Sequence, residues 1–228
     1  MKPIESRYNF EKSLNVMDSI LRSGEVIPRP GSFTSEQVSD VRGAFMKATV
    51  LVATFNAEGT DGASDSNMAR AYDVLLTQVY DLMAGQPLLL YFDWDGERLR
   101  AVFNTTKKPH IDAMVDMAGK IISLTDVINY KVHKETGIKF NVSTAVDYGE
   151  VFSVPIGEAG VLMTGKVLRK TEGMLSRAAG KRVVISRFIL QNLKDDYQKL
   201  FEAIGIFKME YHADIVNIGM HNWLKKQG

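Results

Sequence analysis

An Asp-Gly pair, Asp95-Gly96, stands between two strand-like runs and constrains this chain more than any other feature. Leu88-Leu89-Leu90-Tyr91-Phe92-Asp93-Trp94 precedes it and Glu97-Arg98-Leu99-Arg100-Ala101-Val102-Phe103 follows. Asp-Gly in that setting is the strongest short-range hairpin signal, because a type I′ turn needs positive φ at both central residues. The pair therefore predicts an antiparallel hairpin over Leu88–Phe103, with Asp93, Asp95 and Glu97 crowded at its tip. Carboxylates so close repel one another unless water or a cation offsets their charge.

The flanking chain tells what the hairpin packs with. Thr49–Phe55 is a β-branched and apolar run that predicts a buried strand, closed by the turn-prone Asn56-Ala57-Glu58-Gly59-Thr60-Asp61-Gly62. Ser66–Met83 carries Met68, Tyr72, Leu75, Leu76, Val79 and Leu82 at helical spacing, with Gly85 and Pro87 as stop signals. Lys108–Glu135 repeats the helical pattern, with a kink possible near Gly119. Phe140, Val142, Thr144 and Val146 alternate with polar residues as a half-buried strand. Tyr148-Gly149-Glu150 reads as a turn into a second strand, Val151–Ile156, and Val161–Met163 as a further one. Val167–Ala179 is helix-like, Arg182–Ser186 a further strand, and Tyr211–Trp223 is either strand or helix. The order is βαββαβ, an α+β ferredoxin-like core with helices on one sheet face.

Ahead of it, Phe10, Leu14, Met17, Ile20 and Leu21 mark an amphipathic helix over Ile4–Ser23. Gly24 and the stretch Val26–Ser32, with Pro28, Pro30 and Gly31, separate it from the rest. The expected division is a helix and linker over 1–40 and one domain over 41–228. Such a helix packs on its own domain or on a second copy of the chain. Charge excludes one class of partner: 28 basic residues nearly cancel 27 acidic ones, so no bulk attraction to a nucleic-acid polymer or a membrane surface is implied. The absence of cysteine removes disulfides, thiolate catalysis and thiolate-bound metals. With no signal-like start and no long apolar run, a cytoplasmic protein is expected.

The apolar strand with a polar exit loop, the helix, and the acidic-tipped hairpin ending Ala101-Val102-Phe103 resemble the core of the class III nucleotide cyclases. Two later landmarks extend the likeness from about Ala48 to Ile189: Ala145-Val146-Asp147-Tyr148-Gly149-Glu150-Val151 and Met163-Thr164-Gly165-Lys166-Val167-Leu168-Arg169-Lys170. The branch it resembles most is the pyrimidine cyclases of the bacterial Pycsar anti-phage system. That resemblance implies conversion of UTP or CTP to cyclic UMP or cyclic CMP, a product that acts on a separate effector protein. It also implies a homodimer with composite sites and two Mn2+ or Mg2+ ions.

Carried over residue by residue, the first metal aspartate falls at Thr54, so Asn56 or Glu58 has to substitute. The second falls at Asp95, with Asp93 and Glu97 as rivals. The purine-reading lysine becomes Tyr91 and the purine-reading aspartate becomes Lys166, which implies a smaller base. The ribose-positioning asparagine becomes Arg169. The transition-state arginine falls at Gly173, leaving Arg169, Lys170 or Arg177 as stand-ins. The loop holding Gly59 and Thr60 is the expected phosphate cradle. Plainer readings stand beside these. Asp-Gly is also selected for backbone reasons, Tyr91 also suits a sheet core, and Lys166, Arg169 and Lys170 also suit the wet face of a helix. The rival function is a catalytically silent cyclase-like domain that binds a nucleotide as a sensor or scaffold.

Overall fold

The computed structural model describes residues 8–23, 32–39, 45–156, 161–177 and 182–227. The expected linker over 24–31, residues 157–160 and the first residues of the N-terminal helix lie outside them.

In chain order the elements are α1 (Phe10–Ser23), β1 (Ser32–Thr34), α2 (Glu36–Ser39), β2 (Phe45–Glu58), α3 (Asp65–Ala84), β3 (Leu89–Trp94), β4 (Arg98–Phe103) and α4 (Lys108–Thr136). Then follow β5 (Lys139–Pro155), β6 (Val161–Thr164), α5 (Lys166–Leu175), β7 (Val183–Ser186), α6 (Arg187–Asn192), α7 (Asp195–Gln198), β8 (Glu202–Ile204), β9 (Glu210–Ala213) and α8 (Ile218–Lys225). The strands form one sheet in the order β1-β3-β4-β2-β5-β7-β9-β8, with β6 paired to β5. Only β5 and β7 run parallel among the described pairs.

Strand β2 is the spine. Its alternation sends Leu51, Ala53 and Phe55 to one face, where α3 and α4 cover them, and Ala48, Val50 and Val52 to the other. Ser64 caps α3 by accepting from the Asn67 N–H at 3.2 Å, satisfying one of the free donors of its first turn. α4 runs 29 residues in one α-helix despite Gly119, which is a contact point: a Cβ there would lie 2.6 Å from Cγ2 of Ile215. Met17, Ile20 and Leu21 of α1 join the α3–α4 core, so α1 packs on its own chain. Phe10 and Tyr130 meet Trp223 of α8 edge to face.

Four expectations change. β2 continues to Glu58, so the polar exit loop starts later than the turn-prone composition suggested. Tyr148-Gly149-Glu150 is no turn: β5 runs unbroken to Pro155 because β2 offers partners for the whole stretch from Glu58↔Lys139 to Phe45↔Phe152. Helices are not confined to one face, since Val167 and Leu168 of α5 and Val38 of α2 pack on the side opposite α3 and α4. The hairpin forms, but not through a two-residue type I′ turn. Gly96 has φ +82° while Asp95 stays at negative φ, pairing stops at Trp94↔Leu99, and the Asp95 N–H donates to the Arg98 carbonyl at 3.0 Å. Arg100 thereby comes opposite Asp93.

Candidate functional site

The face of the sheet crossed by α5 carries two charged clusters. The first grows from the hairpin. Alternation along β3 and β4 puts Tyr91, Asp93, Arg98 and Arg100 on this face, and Thr54 of β2 lies at the Arg98 rung. Arg100 donates from Nε to Oδ1 of Asp93 at 2.9 Å and from Nη2 to Oδ2 at 2.7 Å, a bidentate pair. Nη2 also lies 3.4 Å from Asp95, and Nη1 lies 3.6 Å from Glu172 of α5, which faces Arg98 at 3.8 Å. Burial alone would lower the Arg100 pKa. The hydrogen bonds and charge of Asp93, with Asp95 and Glu172 behind it, outweigh that and raise it. Tyr91 is 4% exposed and lies near the Asp93 carboxylate. Burial first, then the Asp93 charge, push its pKa well above the usual phenol value.

The second cluster lies at the start of α5. Gly165 has φ +156°, and a Cβ there would approach the Glu150 carbonyl to 2.6 Å, so only glycine brings the helix this close to β5. At Gly149 a Cβ would meet Val167 at 3.0 Å. The tight seat orients Lys170 onto Asp147, whose side chain is 2% exposed, at 2.7 Å. Asp147 also accepts from the Tyr148 N–H at 2.8 Å. Beside this pair is a cleft of about 560 Å³ lined by Phe45, Tyr148, Glu150, Lys166, Arg169 and Lys170. Lys166 and Arg169 are exposed. Tyr148 stacks on Phe188, ring centroids 4.8 Å apart.

One chain does not bring all the expected site residues together. Glu58 ends β2, exposed and hydrogen-bonded to the Asn141 amide, with Gly59 and Thr60 just beyond. That end is ten rungs along β2 from the Ala48↔Gly149 rung where α5 starts. Ten strand residues span about 33 Å. Arg177, a stand-in for the family's arginine, is bound to Glu210, with Nη2 donating at 2.6 Å. Three participants went unread in the sequence: Arg100, Glu172 and Asp147. Arg100 had a signal, since any hairpin loop with an even number of residues puts Arg98 and Arg100 on the face of Asp93.

The two divalent ions implied by the resemblance do not fit the residues as arranged. Thr54 offers a hydroxyl where a carboxylate is needed, and both oxygens of Asp93 already accept from Arg100. Among the described residues no group of three His, Asp or Glu side chains gathers as a metal site.

This sheet, with α3 and α4 on one face, the β3–β4 hairpin beside β2 and α5 on the other face, is the class III nucleotidyl cyclase fold. The guanylyl cyclase Cya2 superposes with a TM-score of 0.59 at 13% identity, over 78% of this chain and 96% of that one. The guanylate cyclase domain of RhGC from Catenaria anguillulae, in complex with GTP, gives 0.56 at 17%, over 73% and 93%. A class III adenylyl cyclase-like ATP-binding protein from Pseudomonas aeruginosa gives 0.61 at 12%, over 95% of this chain and 50% of that one. At these identities the likeness establishes the fold. No protein-family model matches the sequence, and no curated protein does. Among the described residues no helix is long and apolar enough to cross a membrane.

Proposed function

We propose that two copies of this chain together bind a pyrimidine nucleoside triphosphate, UTP ahead of CTP, as a catalytically silent domain of the class III cyclase fold. The observation that carries binding is the α5 cleft, where Lys166 and Arg169 stand exposed beside the Lys170–Asp147 pair. Exposed cations around a cleft of nucleotide size suit a polyphosphate, with charge-assisted donors of the kind that hold phosphate oxygens. The distance between this cleft and the Gly59–Thr60 loop supports a site completed by a second copy, so that the loop of one chain faces the α5 of the other. Lys166 is a pure donor. It suits the carbonyl oxygens of uracil better than a base edge carrying an amino group. Tyr91, buried in the sheet, supports the hairpin rather than the base. Silence follows from the hairpin, where Asp93 is committed to Arg100 and Thr54 supplies no second carboxylate for the ions that would activate a ribose hydroxyl.

A second reading has one observation in its favour. Asp95 is 45% exposed and only loosely paired, so a carboxylate remains at the tip. On that reading the homodimer converts UTP to cyclic UMP, a second messenger of anti-phage defence. One experiment separates the two. The protein is mixed with each ribonucleoside triphosphate in turn, with manganese, while binding is followed by calorimetry and products by mass. Binding of UTP without a cyclic product is expected. Cyclic UMP in the mixture establishes the second reading, and no binding of any triphosphate refutes both.

A further inference from the structure

We infer that Arg100 is a built-in counter-ion that stands in for divalent cations and closes the hairpin to magnesium and manganese. The inference concerns the same face of the sheet as the proposed function but does not depend on nucleotide binding. A hard cation in a protein gathers carboxylate oxygens at about 2.0–2.6 Å. Here one guanidinium already addresses three carboxylates: Asp93 through two hydrogen bonds, Asp95 at 3.4 Å and Glu172 at 3.6 Å. Arginine stays protonated at any pH a protein survives, so this cation does not leave by titration. It is also fixed in place, since Arg100 and Asp93 face each other across adjacent strands and the bidentate fork needs no loop movement to form.

Charge points the same way. Thr54 contributes no negative charge on this face, and Arg100 contributes a positive one. Compared with a hairpin bearing a carboxylate at 54 and an apolar residue at 100, the local charge is more positive by two units, the charge of one divalent ion. Arg98, on the same face, adds a further cation next to Glu172. An incoming ion has to displace a guanidinium paired on three sides and leave it without partners in a half-buried position.

The test is a manganese titration of the full chain without nucleotide, following the spectrum of free Mn2+ by electron paramagnetic resonance. Wild type is expected to take up no Mn2+ at the hairpin at millimolar metal. Arg100→Met keeps the aliphatic stem and removes the charge, and is expected to bind one Mn2+ at least about tenfold more tightly than wild type. Asp93→Asn added to Arg100→Met is expected to abolish that uptake. Circular dichroism confirms that each variant is folded. A folded Arg100→Met that gains no Mn2+ overturns the inference, as does wild-type uptake that Asp93→Asn removes. Wild-type uptake that survives Asp93→Asn lies elsewhere and leaves the hairpin closed. If Arg100→Met does not fold, the comparison of wild type with Asp93→Asn decides alone by the same criteria.

Discussion

The two charged clusters on the α5 face share a sheet surface and a helix but do opposite things with their charge. At the hairpin, Asp93, Asp95 and Glu172 surround Arg100, and Arg98 stands next to Glu172. At the start of α5, a single buried acid, Asp147, is met by Lys170, while Lys166 and Arg169 remain exposed. The first cluster pairs its charges internally, three carboxylates against two guanidiniums within one chain. The second carries a surplus of cations beside an open cleft. A charged patch is therefore not a ligand site by composition: what matters is whether its charges are already matched by their own neighbours.

Removing the surplus is the harshest test of that contrast. The double variant Lys166→Ala/Arg169→Ala is expected to weaken UTP binding at least about 100-fold in calorimetry, each lost charge-assisted contact being worth roughly 1.5–3 kcal/mol. The same measurement on Asp95→Ala is expected to move less than about twofold. Equal losses in the two would erase the distinction between the clusters.

Next in size is Lys170→Ala, which strands a buried carboxylate. Because Lys170 is itself 56% exposed, water takes over part of its role, and a loss of roughly 2–3 kcal/mol is expected from denaturant unfolding. Adding Asp147→Asn should recover most of it, since the stranded charge is then gone. A Lys170→Ala variant as stable as wild type would show that Asp147 does not need its partner.

Alkaline pH probes the hairpin from another side. Tyr91, Tyr8 and Tyr197 all have raised pKa values in the fold, chiefly through burial, with Tyr8 pushed up to about 12. An unfolded tyrosine ionises near 10, so the stability these groups contribute is complete below that pH and is lost as pH rises from 10 through the folded values. Each tyrosine adds a slope of up to about 1.4 kcal/mol per pH unit. Urea midpoints are expected to be flat to about pH 9 and to fall above pH 10, less steeply in Tyr91→Phe. A Tyr91→Phe curve parallel to wild type throughout would place Tyr91 outside the response.

The smallest effect belongs to Asp95→Ala, where the stability change should stay within about 0.5 kcal/mol, because a loose pair at 45% exposure is screened by water. If the chain does turn UTP over, the same variant should abolish cyclic UMP production while leaving the unfolding curve unchanged.

The comparison also marks how far the sequence could be read. The hairpin, α3, α4 and the strand at Val183–Ser186 were legible because their signals are local: an Asp-Gly pair, helical periodicity with Gly and Pro stops, a β-branched run. Tyr148-Gly149-Glu150 was misread as a turn because its extended conformation is imposed by β2, which lies far away in sequence. Acidic residues at the hairpin tip were legible as a cluster. That Asp93 is already matched was not, because the match depends on a register set by a loop wider than two residues. The buried Asp147 sits in an apolar strand, and only the approach of α5 explains it.

The long ladder between β2 and β5 also governs timing. β2 is the first long strand to leave the ribosome, yet the strand that pairs with it along its whole length is finished only at Pro155. At about 5–20 residues per second, the roughly 100 intervening residues impose a wait of about 5–20 s. Through that interval the apolar segment Thr49–Phe55 has only β4, on one edge, to pair with. Its other edge stays open to any strand that arrives first, including the same segment on a neighbouring nascent chain. The order in which this sheet is synthesised thus makes crowded translation a condition under which the protein is exposed to aggregation.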